Sequence, residues 1–361
     1  MQSPAKITYN PSSEFQHALK KRVERYFRMT GRSTRDSVRM YVKSAIIMTA
    51  FVSVYVVLVF AATALWQAAL LSVALGVCIA AIGFNIQHDG GHGAYSKQNW
   101  VNRIMAFSLD MVGASSYVWA RKHNVLHHTY TNLAGHDDDI DLGWLARFSP
   151  DQPRHWHHRL QHIYMWVLYS VIIPKWNFRD DWSQLFSKKI GSHRLPPPKG
   201  GDLFQLVLGK IVWVSLFFVL PAILHPFLAV AMCYLIAAGT AGIIVSIVFQ
   251  LAHVVEEATF PTPDPETGHI DTPWAVHEVE TTADFAQGNR ALSWYVGGLN
   301  FQIEHHLFPR ICHVHYPKIA RIVEKTCKQH GIAYHSFPTV SSAVRSHYHH
   351  LRHMGKPVPT A

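Results

Sequence analysis

Charge is missing from two long stretches of this 361-residue sequence. Residues 44–87 hold no Asp, Glu, Lys, Arg or His, and residues 211–252 hold no Asp, Glu, Lys or Arg and a single His, His225. A soluble core does not need more than 40 uncharged residues in a row. As helix, each run is roughly 60–66 Å long at about 1.5 Å per residue, enough for two membrane crossings of about 20 residues each. Cysteine is scarce as well. Cys78 and Cys233 lie in the apolar runs, Cys312 and Cys327 near the C-terminus, and no two form a Cys-x-x-Cys pair. That argues against a disulfide framework, a zinc ribbon or a resident iron–sulfur cluster. A glycine-rich nucleotide fingerprint between a strand and a helix is absent, as are internal repeats and low-complexity tracts. The basic residues behind the net charge of +10 are scattered, and no nucleic-acid-binding motif accompanies them.

What remains in the two runs reads as paired helices. In lipid every backbone polar group must be satisfied within the segment, so each crossing is predicted to be helical. The stretch 62–67 interrupts the first run. Pro221 and His225-Pro226 interrupt the second, where proline removes a donor and clashes with the preceding turn. Residues 1–43 carry ten Lys or Arg against Glu14, Glu24 and Asp36, and the chain from Pro309 carries eight against Glu324. Neither turn carries any. The excess of Lys and Arg places both termini and the long middle segment on the cytoplasmic side. The first apolar run starts too late and is too long for a signal peptide.

The histidines carry the chemistry. Twenty-six are present. Three groups stand out: His88-Asp89-Gly90-Gly91-His92, His123-Asn124-Val125-Leu126-His127-His128, and Gln302-Ile303-Glu304-His305-His306. On a helix, residues four apart share a face, so His88/His92 and His123/His127 can each converge on one ion, with Gly90 and Gly91 marking a fraying helix end. His128 points about 100° away and can serve a neighbouring ion. All three groups fall on the same predicted side of the membrane, as does His253 at the end of the fourth crossing, where an ionisable residue is a functional candidate. The predicted ligands are His88, His92, His123, His127, His128, His253, His305 and His306. Eight imidazoles without a thiolate suit two ions, and the nitrogen-rich shell points to two irons that activate dioxygen; zinc and copper also take imidazole. Gln302, Asn300, His313 and Asp138 are candidates for the surrounding shell that orients ligands. His155, His157, His158 and His162 read as surface or interfacial residues, and His347, His349, His350 and His353 as part of a mobile basic tail.

These motifs resemble the membrane fatty acid desaturase superfamily, with its three histidine boxes and paired membrane hairpins. The segment Gly297-Gly298-Leu299-Asn300-Phe301-Gln302-Ile303-Glu304-His305-His306-Leu307-Phe308-Pro309 is the most specific feature. Gln302 in place of the first histidine of the third box resembles the front-end branch of acyl-lipid and linoleoyl-CoA desaturases. The run from Lys122 to Asp141 resembles its bacterial members. Over roughly residues 40–330, the resemblance implies a di-iron (ferrous) centre, dioxygen as co-substrate, a fatty acyl substrate in a hydrophobic tunnel and an external electron donor. Many front-end enzymes carry a fused haem domain with a His-Pro-Gly-Gly motif. Here the only His-Pro is His225-Pro226, so a ferredoxin-like carrier or a separate haem protein is expected to supply electrons.

The expected architecture is an all-α integral membrane protein. Four transmembrane helices form two hairpins, and a cytoplasmic helical cap holds the histidine-ligated di-iron centre. Residues 1–43 form a basic cytoplasmic N-terminal segment, 44–330 the desaturase domain, and 331–361 a basic C-terminal tail. Residues 101–119 and 160–176 are too short in apolar content for further crossings and are placed at the interface. Two rival functions share these features. A hydroxylase of the same superfamily would return oxygen to its substrate. A metal-handling membrane protein would place ligands along a path through the crossings rather than on one side of them.

Overall fold

Among the described residues, four helices are long and apolar enough to cross a membrane: Val38–Phe60, Leu65–Gly91, Gly201–Leu224 and Phe227–His253. Few of their side chains compete for backbone hydrogen bonds, and both uncharged runs fall inside them. The computed structural model describes residues 7–357. Lys6 and the last four residues of the C-terminal tail lie outside the described residues. The first helix packs along the second, and the second along the fourth. Large apolar side chains such as Val52, Val56, Leu70, Ile211, Leu228 and Leu235 face outward. A belt of that extent is not left in water; it marks a membrane protein.

The breaks differ in one detail from expectation. Residues 61–64 separate the first two helices. In the second run, however, Pro221 does not end the helix. A π-helical turn, Ser215–Val219, precedes it, and the proline opens the α-helical turn Leu220–Leu224. There its missing N–H costs little, because the wider turn has already displaced the hydrogen-bond pattern. The break falls at His225-Pro226.

Around one end of these helices lies a polar layer. Helix Glu14–Thr30 starts at an N-cap, Ser13, and ends at Gly31 in the left-handed conformation. It buries Phe15, Leu19, Val23 and Phe27, spaced four apart on one face, against Ala275, Ile303, Leu307 and Ile319. Each such side chain stabilises the contact by about 1.5–3 kcal/mol. Three two-stranded ladders tie the layer together. Thr8–Asn10 pairs in parallel with His269–Pro273, Asp284–Phe285 in parallel with Ser336–Phe337, and Lys189–Ile190 antiparallel with His193–Arg194. The chain is therefore mostly helical rather than wholly so.

The C-terminal histidines are not in a mobile tail. Val340–Met354 is a helix capped by Thr339, and His347 and His350 are buried. His347 sits between the carbonyl of Val254, 2.6 Å away, and the hydroxyl of Tyr169, 2.7 Å away. His158, expected at the surface, is also buried and lies 2.9 Å from the carbonyl of Trp144. Both corrections have one cause. An imidazole can be buried cheaply when its ring nitrogens meet carbonyl or hydroxyl partners, and sequence spacing does not reveal such partners.

Candidate metal centre

The first two boxes reach the site through π-helical distortions, whereas His253 ends a regular α-helix and His305 and His306 lie on a short one. The second apolar helix changes to a π-helical turn at Gly83–Gln87 and then delivers His88. The helix continues to Gly91, and the amide of His92 donates to the carbonyl of His88 at 3.0 Å. It does not fray. Gly90 and Gly91 are there for close approach: a Cβ on Gly90 would meet helix Asn99–Met111, and one on Gly91 would strike the indole of Trp119. Residues Ala120–His127 are π-helical. The wide turn keeps His123 and His127 on one face, their rings stacked with centroids 5.0 Å apart. His128 follows and also points inward, 4.6 Å from His305 and 4.3 Å from His306.

Two tight backbone features fix the third box. Gly297 has φ +61°, and a Cβ there would collide with the carbonyl of Phe84; only glycine permits both. The side-chain amide of Asn300 donates to the carbonyl of Phe285 at 3.1 Å. Asn132, itself at φ +60°, ties the second box to the fourth apolar helix. Its amide donates to the carbonyl of His253 at 3.0 Å and to those of Thr259 and Thr281 at 3.1 Å.

All eight predicted histidines converge. Ring nitrogens of His88, His92, His123 and His305 lie within 4.8 Å of one another, as do those of His127, His253 and His306. His128 forms a further group with His305 and His306, between the other two. All eight side chains are buried. Burial drives the imidazoles of His92, His128, His305 and His306 well below the usual histidine range, so they are neutral and keep a lone pair for a cation.

The outer ring nitrogens are held by acceptors. Nδ1 of His127 lies 3.0 Å from Asp137, Nδ1 of His306 lies 2.6 Å from Glu278, and Nδ1 of His123 lies 3.4 Å from Asp139. Nδ1 of His305 faces the Tyr316 hydroxyl at 3.3 Å. A carboxylate can only accept, so it fixes the proton on Nδ1 and leaves Nε2 free. Burial lowers His127, but the adjacent Asp137 carboxylate outweighs it and the net shift is upward. Nε2 of His92, His123, His127 and His305 and both nitrogens of His128 are buried without a hydrogen-bond partner. Stranding so many polar atoms is costly unless something binds them. The donor set therefore fits metal cations.

The four other candidates divide. The carboxamide of Gln302 lies 3.0 Å from Nε2 of His253 and 3.4 Å from Nε2 of His306, at the heart of the second group. Asn300 donates to the carbonyl of Phe285 and to the Ser293 hydroxyl at 3.0 Å and contacts none of the eight histidines, so it positions the loop. His313 meets Asp89 at 3.1 Å and Lys43 at 2.9 Å; it braces the first box through Asp89 and touches none of the eight. Asp138 pairs with Lys122 at 3.0 Å and contacts no histidine. The neighbours Asp137 and Asp139 make those contacts. Glu278 lacks any sequence signal: it lies 28 residues from its partner His306, in a segment without histidine-box character.

A cavity of about 380 Å³ reaches His88, His123 and Gln302. Away from them its walls are apolar, with Ile82, Val112, Ile172 and Phe249, while Lys122, Asp139 and Asp141 line a polar part.

The chain matches the sequence model described as fatty acid desaturase over residues 64–338. It is 42% identical to an sn-1 linoleoyl-lipid 6-desaturase of Arthrospira platensis, over 97% of this chain and 95% of that protein. It is 37% identical to an sn-1 linoleoyl-lipid 6-desaturase of Synechocystis sp., over 99% of both chains. An acyl-lipid (8-3)-desaturase of Physcomitrium patens is 37% identical over 95% of this chain and 72% of its own length. With that similarity spanning nearly its whole length, the chain belongs to the fatty acid desaturase family and is a fatty acyl desaturase.

Proposed function

We propose that this chain is a di-iron, oxygen-dependent desaturase that places a cis double bond in an acyl chain carried on a lipid. The observation that carries the reading is the pair of buried imidazole groups at one end of an apolar cavity. Similarity to linoleoyl-lipid 6-desaturases supports a linoleoyl-lipid substrate and insertion at position 6. The overall balance is –CH2–CH2– + O2 + 2 H+ + 2 e− giving –CH=CH– + 2 H2O.

His88, His92, His123 and His305 would hold one iron. His127, His253 and His306, with the Gln302 carboxamide beside them, would hold the other, and His128 lies between. Such a pair supplies the dioxygen chemistry that removes hydrogen from an unactivated chain. The protein's part is to bind, orient and exclude. Asp137, Asp139 and Glu278 orient imidazoles and raise their donor strength. Burial pushes Glu278 well above the usual carboxyl range, and a cation on the far edge of His306 would draw it back to the carboxylate. Ile82, Val112 and Phe249 offer the acyl chain a dry wall, which keeps water from the reacting carbons. Lys122, neutralised by Asp138 and Asp139 at 3.0 and 3.1 Å, anchors the turn that carries these carboxylates.

The four apolar helices would form two hairpins. With the charge asymmetry at the two ends, this puts both termini and the histidine layer, as a helical cap, in the cytoplasm. A ferredoxin-like carrier or a separate haem protein would deliver the electrons. Expression in a host fed linoleate, with mass spectrometry of its lipids, tests the reaction. Loss of two hydrogens at position 6 is expected. A product that gains oxygen, or no product from a membrane-inserted chain, overturns the reading.

A further inference from the structure

A second groove opens where helix Glu14–Thr30 packs beside Trp274, Leu307 and Phe308. The groove encloses about 560 Å³; Leu19, Phe27, Trp274 and Phe308 contribute apolar wall, and Lys20 and Arg28 line it with a single carboxylate, Glu24. A polar recess of about 460 Å³ adjoins it, lined by Arg35, Arg310 and the imidazole of His92. Chain neighbours line the two, Thr34 and Phe308 the groove and Arg35 and Pro309 the recess. The amide of Cys312 donates to the carbonyl of Thr34 at 2.9 Å, and Arg35 donates to the carbonyl of Arg310 at 3.3 Å.

The charge on this face is one-sided. The helix has already buried its apolar side, and Lys20, Lys21, Arg25 and Arg28 remain exposed. Arg32 and Arg310 extend the exposed basic surface. Beneath the groove the connection to the histidines is short: the indole N–H of Trp274 donates to the carbonyl of His128 at 3.3 Å, and His128 is the ring between the two groups. His92 is 8% exposed, within the adjoining recess. A basic rim around an apolar floor, directly over the histidine layer, complements a small protein with acidic residues around its redox group.

We propose that this face docks an acidic one-electron carrier protein and that Trp274 is the point of electron entry. The proposal rests on the oxygen-dependent reading above, whose balance requires two electrons from outside the acyl chain. Each docked carrier is oxidised by one electron, and two dockings serve one double bond. The electron passes from the carrier to Trp274 and on to the histidine layer through the bond to the His128 carbonyl.

The test uses the full chain in lipid nanodiscs and a plant-type two-iron ferredoxin. Binding is measured by interferometry as ionic strength rises from about 0.01 M to about 0.15 M, where the screening length shortens from roughly 30 Å to 8 Å. Wild-type affinity is expected to fall over that range. The triple variant Lys20→Glu/Arg28→Glu/Arg310→Glu is expected to bind at least about tenfold more weakly at low salt, with a flatter salt response. The neutral set Lys20→Gln/Arg28→Gln/Arg310→Gln should fall between. Reversing Arg345 and Arg352, which are exposed on the C-terminal helix, should change affinity by less than about twofold. Trp274→Leu should keep the affinity and slow ferredoxin oxidation about tenfold or more in stopped flow, because it removes the bonded path rather than the charge.

Unchanged affinity in both triple variants would overturn the docking face. So would an equal loss on reversing Arg345 and Arg352, or a loss confined to phosphatidylglycerol vesicles, which would show that the face lies on lipid. Ferredoxin oxidation at the wild-type rate in Trp274→Leu would overturn the entry point. The two readings fail separately. Fed cells that make no double bond, with ferredoxin still bound on this face, would count against the proposed reaction alone; product formation with unchanged affinity in the variants would count against the docking face alone.

Discussion

The two imidazole groups are built differently. The first, His88, His92, His123 and His305, has four rings and borders the large apolar-walled cavity through His88 and His123. The second, His127, His253 and His306, has three rings, the Gln302 carboxamide among them, and strong carboxylate bracing from Asp137 and Glu278. Around the first, the bracing is looser: Asp139 lies 3.4 Å from His123 and Tyr316 lies 3.3 Å from His305. The first group is held by close packing, with Trp119 stacked on His123 at 4.7 Å. The other is held by charge-assisted hydrogen bonds. The difference separates the roles of shape and charge in one site.

The largest effect should come from a ring that links the first group to the second through His128 and His306. His305 belongs with His88, His92 and His123, and also with His128 and His306. If two irons bind as proposed, His305→Ala should lower desaturation in fed cells by about a hundredfold or more and reduce the occupancy of both, measured by plasma mass spectrometry of purified protein. His253→Ala touches only the second group and should remove about one of two. Equal metal loss in the two variants would erase the distinction between the groups.

Bracing comes next. Glu278→Gln leaves a weaker acceptor behind His306 and should cost about 10–100-fold in metal affinity or activity. Asp138→Asn, which faces Lys122 instead of a histidine, should stay within about threefold. Gln302→Leu removes the carboxamide from the second group and should fall between the two in metal retention. If Asp138→Asn proves as damaging as Glu278→Gln, contact with an imidazole is not what the carboxylates contribute.

The smaller effects concern packing. Gly297→Ala forces a side chain into the left-handed region, at about 1–2 kcal/mol, and against the Phe84 carbonyl. Thermal unfolding should begin several degrees lower, with the first group disturbed before the second, because Phe84 lies in the π-helical turn that delivers His88. His347→Leu leaves the Val254 carbonyl and the Tyr169 hydroxyl without their partner, at about 1–3 kcal/mol. It should lower the unfolding temperature by a few degrees and leave metal content unchanged. No change in unfolding temperature would mean the C-terminal helix contributes nothing to stability.

Much of this was legible in the chain. The uncharged runs mark the apolar helices because lipid tolerates no unpaired backbone and few charges. The eight histidines are identifiable because metal binding needs a particular atom at a particular spacing, and box spacing survives in one dimension. The expected ends were less secure. Gly90 and Gly91 read as helix breakers, yet they sit in a continuing helix against Met105 and Trp119. Composition cannot tell a glycine chosen for flexibility from one chosen for contact.

What the sequence by itself determined is which imidazoles would converge and the medium around them: rings at helical spacing, next to segments that only a membrane would accommodate. Only the tertiary structure decided how those donors divide. It assigned His127 to the group of His253 and His306 and set His128 between the two groups. It also brought Glu278 to His306, moved the bracing role from Asp138 to its neighbours Asp137 and Asp139, and buried His347 and His350 in a helix. Each of these depends on contacts between residues far apart in the chain or on the exact turn of a π-helical segment. A local spacing rule carries the phase of one helix. It does not carry the rotation of one helix against another, and that rotation sets which lone pairs meet.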